Sequence, residues 1–233
     1  MRKRLSLILV LGLIGLPLQA ASAGTKENSR LENCGMVLQE IFNIPDDVPQ
    51  DLIDKTDCVI VIPSTLKFAF ILGGSYGRGA MSCRSGEDFK GPWGAPTMMA
   101  MEGGSIGFQW GGNATDYIIL VMNPRGATSI LSSKVKLGAD VSASAGPKGR
   151  TAEAATDVTL RAELLTYSRS RGLFLGISLA GSSLRPDNDA NKRLYGQAIS
   201  AKDIALEGKA SVPPSAQLML SVLNKRSPKN LSQ

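Results

Sequence analysis

Between Cys58 and Ala180 the chain is written in short apolar runs cut apart by glycine, and that rhythm most constrains its fold. Cys58-Val59-Ile60-Val61-Ile62 is apolar and rich in β-branched residues, so it predicts a buried strand ended by Pro63. Lys67 to Ile71 and Ala80 to Arg84 flank Gly73-Gly74-Ser75-Tyr76-Gly77-Arg78-Gly79. Glycine at that density within strand-like sequence predicts bends, bulges or close backbone contacts. Trp93 to Met101, Ser105 to Trp110 and Tyr117 to Asn123 continue as strands, separated by Gly103-Gly104 and Gly111-Gly112-Asn113. Lys136 to Ala145, Leu164 to Ser170 and Leu173 to Ala180 add further short runs, with turns at Gly146-Pro147-Lys148-Gly149 and Ser170-Arg171-Gly172.

Helical patterns bracket this region. Residues 25–43 place Leu31, Cys34, Leu38, Ile41 and Phe42 on one face. The other face mixes Lys26, Glu27, Arg30, Glu32 and Glu40, a balance that favours docking on the protein's own core over a basic membrane-surface helix. Shorter helices are expected at Pro124–Leu131, Asp187–Tyr195 and 201–207, and a last one after Pro213-Pro214. Strands in series with short turns, and no βαβ rhythm, give an α+β fold. Its mainly antiparallel curved sheet, or partly closed barrel of short strands, is covered by terminal helices.

The first 23 residues are expected to be a cleavable signal peptide. Arg2, Lys3 and Arg4 precede an uncharged apolar run from Leu5 to Leu18, and Ala21-Ser22-Ala23 supplies the small-residue cleavage pattern. That places the protein in the periplasm or outside the cell. Processing leaves 23 basic residues against 20 acidic, a mild excess unlike that of a nucleic-acid binder. Residues 24–225 are expected as one domain, with residues 226–233 a flexible tail. Export also permits a disulfide among Cys34, Cys58 and Cys83. Cys58 opens one strand and Cys83 closes the next, so Cys58–Cys83 is the expected pair; three reduced, buried cysteines are the alternative.

The chain contains no histidine. That removes the commonest general base and metal ligand, and no CxxC pair replaces it. The glycine stretch has neither GxGxxG nor GxxxxGK[ST] spacing, so no nucleotide loop is read there. Asp140, Glu153 and Asp157 are acidic but form no convincing catalytic pair. No enzyme activity, metal or cofactor is expected.

Several motifs appear in a fixed order. Ile53-Asp54-Lys55 leads into Cys58–Pro63. Gly73–Gly79, Gly91-Pro92-Trp93-Gly94-Ala95-Pro96 and Gly103-Gly104-Ser105-Ile106-Gly107-Phe108-Gln109 follow. Lys136-Leu137-Gly138-Ala139-Asp140, Ala145–Arg150 and Tyr167–Phe174 complete the series. Together, between about residues 45 and 195, they resemble the SYLF, or Ysc84-type, lipid-binding domain. The resemblance implies association with anionic phospholipid. Eukaryotic members bind phosphoinositides, some bind actin, and they usually carry an SH3 or FYVE module that is not seen here. Actin is not expected as the partner of an exported chain; an envelope protein is the alternative partner.

A lipid site needs cations at headgroup level beside apolar groups that enter the interface. Lys67, Arg78, Arg84 and Lys90 surround the glycine-rich hairpin, with Phe68, Phe89 and Trp93 among them. Lys148 and Arg150 flank a turn whose N–H groups can face a phosphate. Arg169 and Arg171 sit at a hairpin tip near Phe174. These nine positions (the cations and Trp93) are the candidate lipid contacts.

Overall fold

The computed structural model describes residues 24–45, 47–68, 73–105, 115–149, 161–170 and 172–232. The expected signal peptide, residues 106–110 of the strand expected from Ser105 to Trp110, Arg150, Glu153, Asp157 and Arg171 lie outside them, as does the side chain of Lys67. Helix α1 spans Thr25–Phe42 and α2 Gln50–Asp54. Strands β1 (Cys58–Phe68), β2 (Gly73–Cys83), β3 (Thr97–Ser105) and β4 (Thr115–Val121) follow. Helix α3 (Pro124–Ser132) leads to β5 (Val135–Lys136), β6 (Ala143–Ala145), β7 (Leu164–Ser170), β8 (Leu173–Gly176) and β9 (Ser183–Pro186). Helices α4 (Asn188–Tyr195), α5 (Ala201–Ala205) and α6 (Gln217–Arg226) complete the described chain. Among the described residues no helix is long and apolar enough to cross a membrane.

The nine strands form one curled sheet, a half-barrel in the order β5-β9-β3-β2-β1-β4-β7-β6. Strand β8 shares with β6 the edge of β7 that β4 leaves open. Pairing is antiparallel except between β6 and β7. The fold is α+β, as the strand rhythm predicts.

Strand β1 lies at the centre and is buried on both faces, which is why its sequence is apolar without alternation. Val59 and Val61 face one core with Leu31, Leu38 and Ile41 of α1 and Met219 and Leu223 of α6. Cys58, Ile60 and Ile62 face a second core with Ala127, Ile130 and Leu131 of α3 and Ala201 and Ala205 of α5. The sheet is thus the middle of three layers. Cys58 and Cys83 are register partners in β1 and β2, and their sulfurs are bonded; Cys34 is free and buried against Val61. Burial pushes the Cys34 thiol up to about 12, so it stays protonated and inert.

Pro63 does not end β1. The strand runs on through a bulge, because its register slips by one residue, between Val61 and Leu66 against β2 and between Ile62 and Thr65 against β4. A proline is tolerated at such a point, where its missing N–H breaks no ladder bond. Ser64 takes a left-handed φ of 48°, and its N–H donates to Asp116 Oδ1 at 2.8 Å. The glycines opposite are therefore strand, not interruption. A Cβ on Gly79 would lie 1.8 Å from the Val61 carbonyl oxygen. Strand β9, with Leu184 as its one buried apolar residue, carries too little pattern to be read from sequence.

The C-terminal residues are not a loose tail, which corrects the sequence expectation. Arg84 is 1% exposed, and its guanidinium carbon lies 4.3 Å from the centre of the Trp93 ring. Its Nη2 donates to Ser227 O at 3.0 Å, Ser227 Oγ at 2.6 Å and Lys229 O at 3.1 Å, while Nε donates to Thr56 O at 3.2 Å. Trp93 Nε1 donates to the same Ser227 carbonyl at 3.0 Å. Asn230 donates to Asp57 and to the Phe89 carbonyl, and the Leu231 N–H reaches Asp54 O. Burial pulls the Arg84 pKa below its ordinary value, against the pull of Asp54 and Asp57. A buried cation needs such acceptors, and the polar tail supplies them.

Two outcomes follow for stability. Gly79→Ala forces the β1 bulge apart and should cost about 3 kcal/mol or more in urea unfolding. Arg84→Ala and removal of Ser227–Gln233 should each cost about 4 kcal/mol, from stranded polar groups and the lost cation–π contact. Because both break one network, the combined variant should cost little more than either alone.

Candidate functional site

Lys26, Ser29, Arg30 and Asn33 recur at helical spacing and so share one side of α1. The β1 bulge brings Pro63 and Ser64 opposite that side, and β2 adds Arg78. Between these walls runs an open groove of about 390 Å³, also lined by Thr25.

Among the described residues no carboxylate lines this groove. The acids nearby are engaged elsewhere: Glu27 is buried against Arg193 Nε at 2.8 Å, and Asp187 meets Arg78 Nε at 3.1 Å. Among the described residues Lys26 and Arg30 have no ion pair. One terminal nitrogen of Arg30, Nη1, is shut off from solvent and has no hydrogen-bond partner. Lys26 also stands in the first turn of α1, where the helix dipole disfavours a cation, and that turn has no side-chain cap.

Arg78 further donates from Nε to the Tyr76 hydroxyl at 2.6 Å and stacks against its ring, 5.7 Å from the centroid. Tyr76 is 41% exposed. The register carries this row across the sheet: Tyr76 opposes Glu102 and Leu66, Thr65 opposes Thr115, and Asp116 opposes Arg169. At the far end Ser170 pairs with Leu173 beside the left-handed Gly172, leaving Leu173 59% exposed.

The nine positions read from sequence do not form one site. Lys67, Arg78 and Arg169 belong to the end of the sheet just described. Arg169 is held between Asp116, at 2.7 Å, and Glu40, so its charge is matched. Arg84, Lys90 and Trp93 belong to the opposite end, beyond the Cys58–Cys83 pair. Arg84 and Trp93 are corrected from surface contacts to buried structural groups, because each serves the C-terminal network. Phe89 and Phe174 are likewise buried, Phe174 stacked on Tyr167. Lys90 is exposed beside Asp88. Lys148 is exposed in a third place, next to Gly149, whose N–H bonds the Asp47 carbonyl between α1 and α2. Sequence reasoning passed over Lys26 and Arg30 because the same helix carries Glu27, Glu32 and Glu40. Only the tertiary ion pairs of Glu27 with Arg193 and of Glu40 with Arg169 take those two acids away from the two cations.

Comparison with known proteins adds an independent line. The Ysc84 family model, described as Las17-binding protein actin regulator, matches residues 102–226. The chain is 31% identical over 205 residues to Protein YSC84 of Saccharomyces cerevisiae, covering 87% of this chain and 43% of that protein. It is 32% identical over 206 residues to LAS seventeen-binding protein 3 of the same yeast, covering 87% of this chain and 44% of that protein. Against SH3 domain-containing YSC84-like protein 1 of Mus musculus it is 30% identical over 203 residues, covering 84% of this chain and 58% of that protein. The chain therefore spans less than half the length of the two yeast relatives. With the ordered motifs, the curled sheet and more than half of the chain matched by one family model, the protein belongs to the Ysc84 (SYLF) family.

Proposed function

We propose that the protein is a non-enzymatic, peripheral lipid-binding module that associates with anionic phospholipid membranes. The observation that carries this reading is the cationic groove of Lys26, Arg30 and Arg78, which no carboxylate among the described residues lines, beside the exposed Tyr76. Cations near an anionic surface contribute about 1 kcal/mol each, so a few acting together suffice for recruitment. Tyr76 supplies an amphipathic ring at the same place, and Leu173 a second apolar contact on the same end of the sheet. With the export expected from the N-terminal segment, the target surface would be an envelope or extracellular one.

A second reading is a protein-interaction module. It is favoured by the family description, Las17-binding protein actin regulator, and by relatives whose names refer to Las17 binding and SH3 domains. It uses the same exposed surface and needs no lipid.

Cosedimentation of the chain from Gly24, which contains the whole described fold, with neutral and anionic vesicles separates the two. The lipid reading expects binding to phosphatidic acid- or cardiolipin-containing vesicles only, weakened as salt rises from 0.05 M to 0.5 M, values set on the order of the Debye screening range. Tyr76→Ser with Leu173→Ser should reduce binding several-fold at constant charge. No binding to any vesicle at low salt would overturn the lipid reading and favour a protein partner.

A further inference from the structure

The Cys58–Cys83 disulfide closes one end of the central ladder, between the first residue of β1 and the last of β2. Both cysteines are fully buried and share a core with Phe89. Phe89 comes from the segment that follows β2, where Glu87–Phe89 forms a single tight turn. Asp88 and Phe89 take left-handed φ values of 54° and 57°. Two such residues in succession are unfavourable, and for a side chain as large as Phe a positive φ is an outlier. The turn's own bonds, from the Phe89 N–H to Gly86 O and from the Lys90 N–H to Glu87 O, are long at 3.3 Å. A turn of this kind keeps its shape only while its surroundings hold it.

Asn230 supplies that hold. Its Nδ2 donates to Phe89 O at 3.1 Å and to Asp57 Oδ1 at 2.8 Å, and Asp57 adjoins Cys58. Ser227 accepts from Arg84, which adjoins Cys83. Residues 227–230 therefore tie, without a covalent bond, the same two strand ends that the disulfide ties. They are lightly anchored: of residues 227–232 only Ser227 is buried, and Leu231 is exposed. A segment with so little buried apolar surface opens well before the fold does. Cys34 lies in the other core, across the sheet against Val61, so it cannot exchange with the pair.

We infer that Cys58–Cys83 is a reversible redox site for an external dithiol, gated by residues 227–232, which latch the Phe89 turn over the sulfurs. When Asn230 lets go, the turn relaxes, Phe89 leaves the core and the disulfide meets solvent. A thiolate of the dithiol then attacks one sulfur, the S–S bond breaks, and the departing cysteine thiolate takes a proton. The second thiol of the reductant attacks the mixed disulfide and frees the other cysteine, which is protonated in turn. The dithiol leaves as its own disulfide, having passed two electrons to the protein. The site is independent of what the groove beside α1 binds.

The chain from Gly24 is incubated with dithiothreitol under native conditions and sampled into iodoacetamide, and mass spectrometry reads alkylation at each cysteine. Cys34 is the internal clock for opening of the whole fold. The expected result is that Cys58 and Cys83 become labelled together while Cys34 stays unlabelled, and that glutathione disulfide restores the bond. Asn230→Ala and Phe89→Ala should each speed reduction about tenfold, the scale of one or two lost hydrogen bonds or of a lost cover, with Cys34 still protected. Thermal unfolding verifies that each variant is folded; if Phe89→Ala is not, Asn230→Ala carries the test alone. Reduction rates equal to the unaltered chain's would overturn the gate. Labelling of Cys34 in step with the pair, in the unaltered chain or in the variants, would overturn the redox site and leave a purely structural disulfide. Failure of glutathione disulfide to re-form the bond would do the same.

Discussion

The whole molecule depends on one strand that has no solvent face along its first half and a bulge that shifts its ladder before the second. From Cys58 to Ile62 every side chain of β1 enters one of two cores, so the helices on either side of the sheet are obliged to be there. Such a strand removes much apolar area from water within a few residues. Immediately afterwards the Pro63–Ser64 bulge twists β1 away from regular pairing. That distortion sets the curl of the sheet end and forms one wall of the cationic groove. The glycines of β2 are the counterpart of the bulge: they let the β1 backbone come closer than any side chain would permit.

The parts of this arrangement governed by local pattern were legible in the sequence. The helical spacing of Leu31, Cys34, Leu38 and Ile41, the strand at Cys58–Ile62, the turn at Gly146–Gly149 and the α+β class all follow from periodicity and turn chemistry. What escaped is governed by tertiary context. Pro63 reads as a stop because nothing local announces that its missing N–H falls at a bulge. Ser183–Pro186 has one apolar residue, and its strand exists because β3 offers an open edge there. Arg84 and Trp93 look like surface groups for a similar reason, since their acceptors arrive from residues 227–229.

The electrostatics teach a related lesson. Along α1 the charges nearly cancel, and a sum over sequence predicts a neutral helix face. The fold spends that neutrality unevenly. Glu27 turns inward to Arg193 and Glu40 joins Arg169, each at a partner far along the chain. Lys26 and Arg30 stay behind with an uncompensated field. A local potential of several kT can therefore arise on a protein whose net charge is small. The groove is a product of which acids are used up, more than of how many bases are present.

The Arg84 network also bears on the order in which the chain can reach its final state. Its donor Arg84 follows β2 directly, and the acceptor Ser227 comes 143 residues later. The pairings of Gln50 with Arg226 and of Glu27 with Arg193 span 176 and 166 residues. Contacts of such separation form only after long stretches of backbone have been closed into loops, which slows barrier crossing. Until α6 and the residues after it dock, Arg84 Nη2 and the Trp93 indole N–H lack the acceptors that Ser227 and Lys229 bring. The sheet can collapse early, but its polar interior is completed last, by the end of the chain.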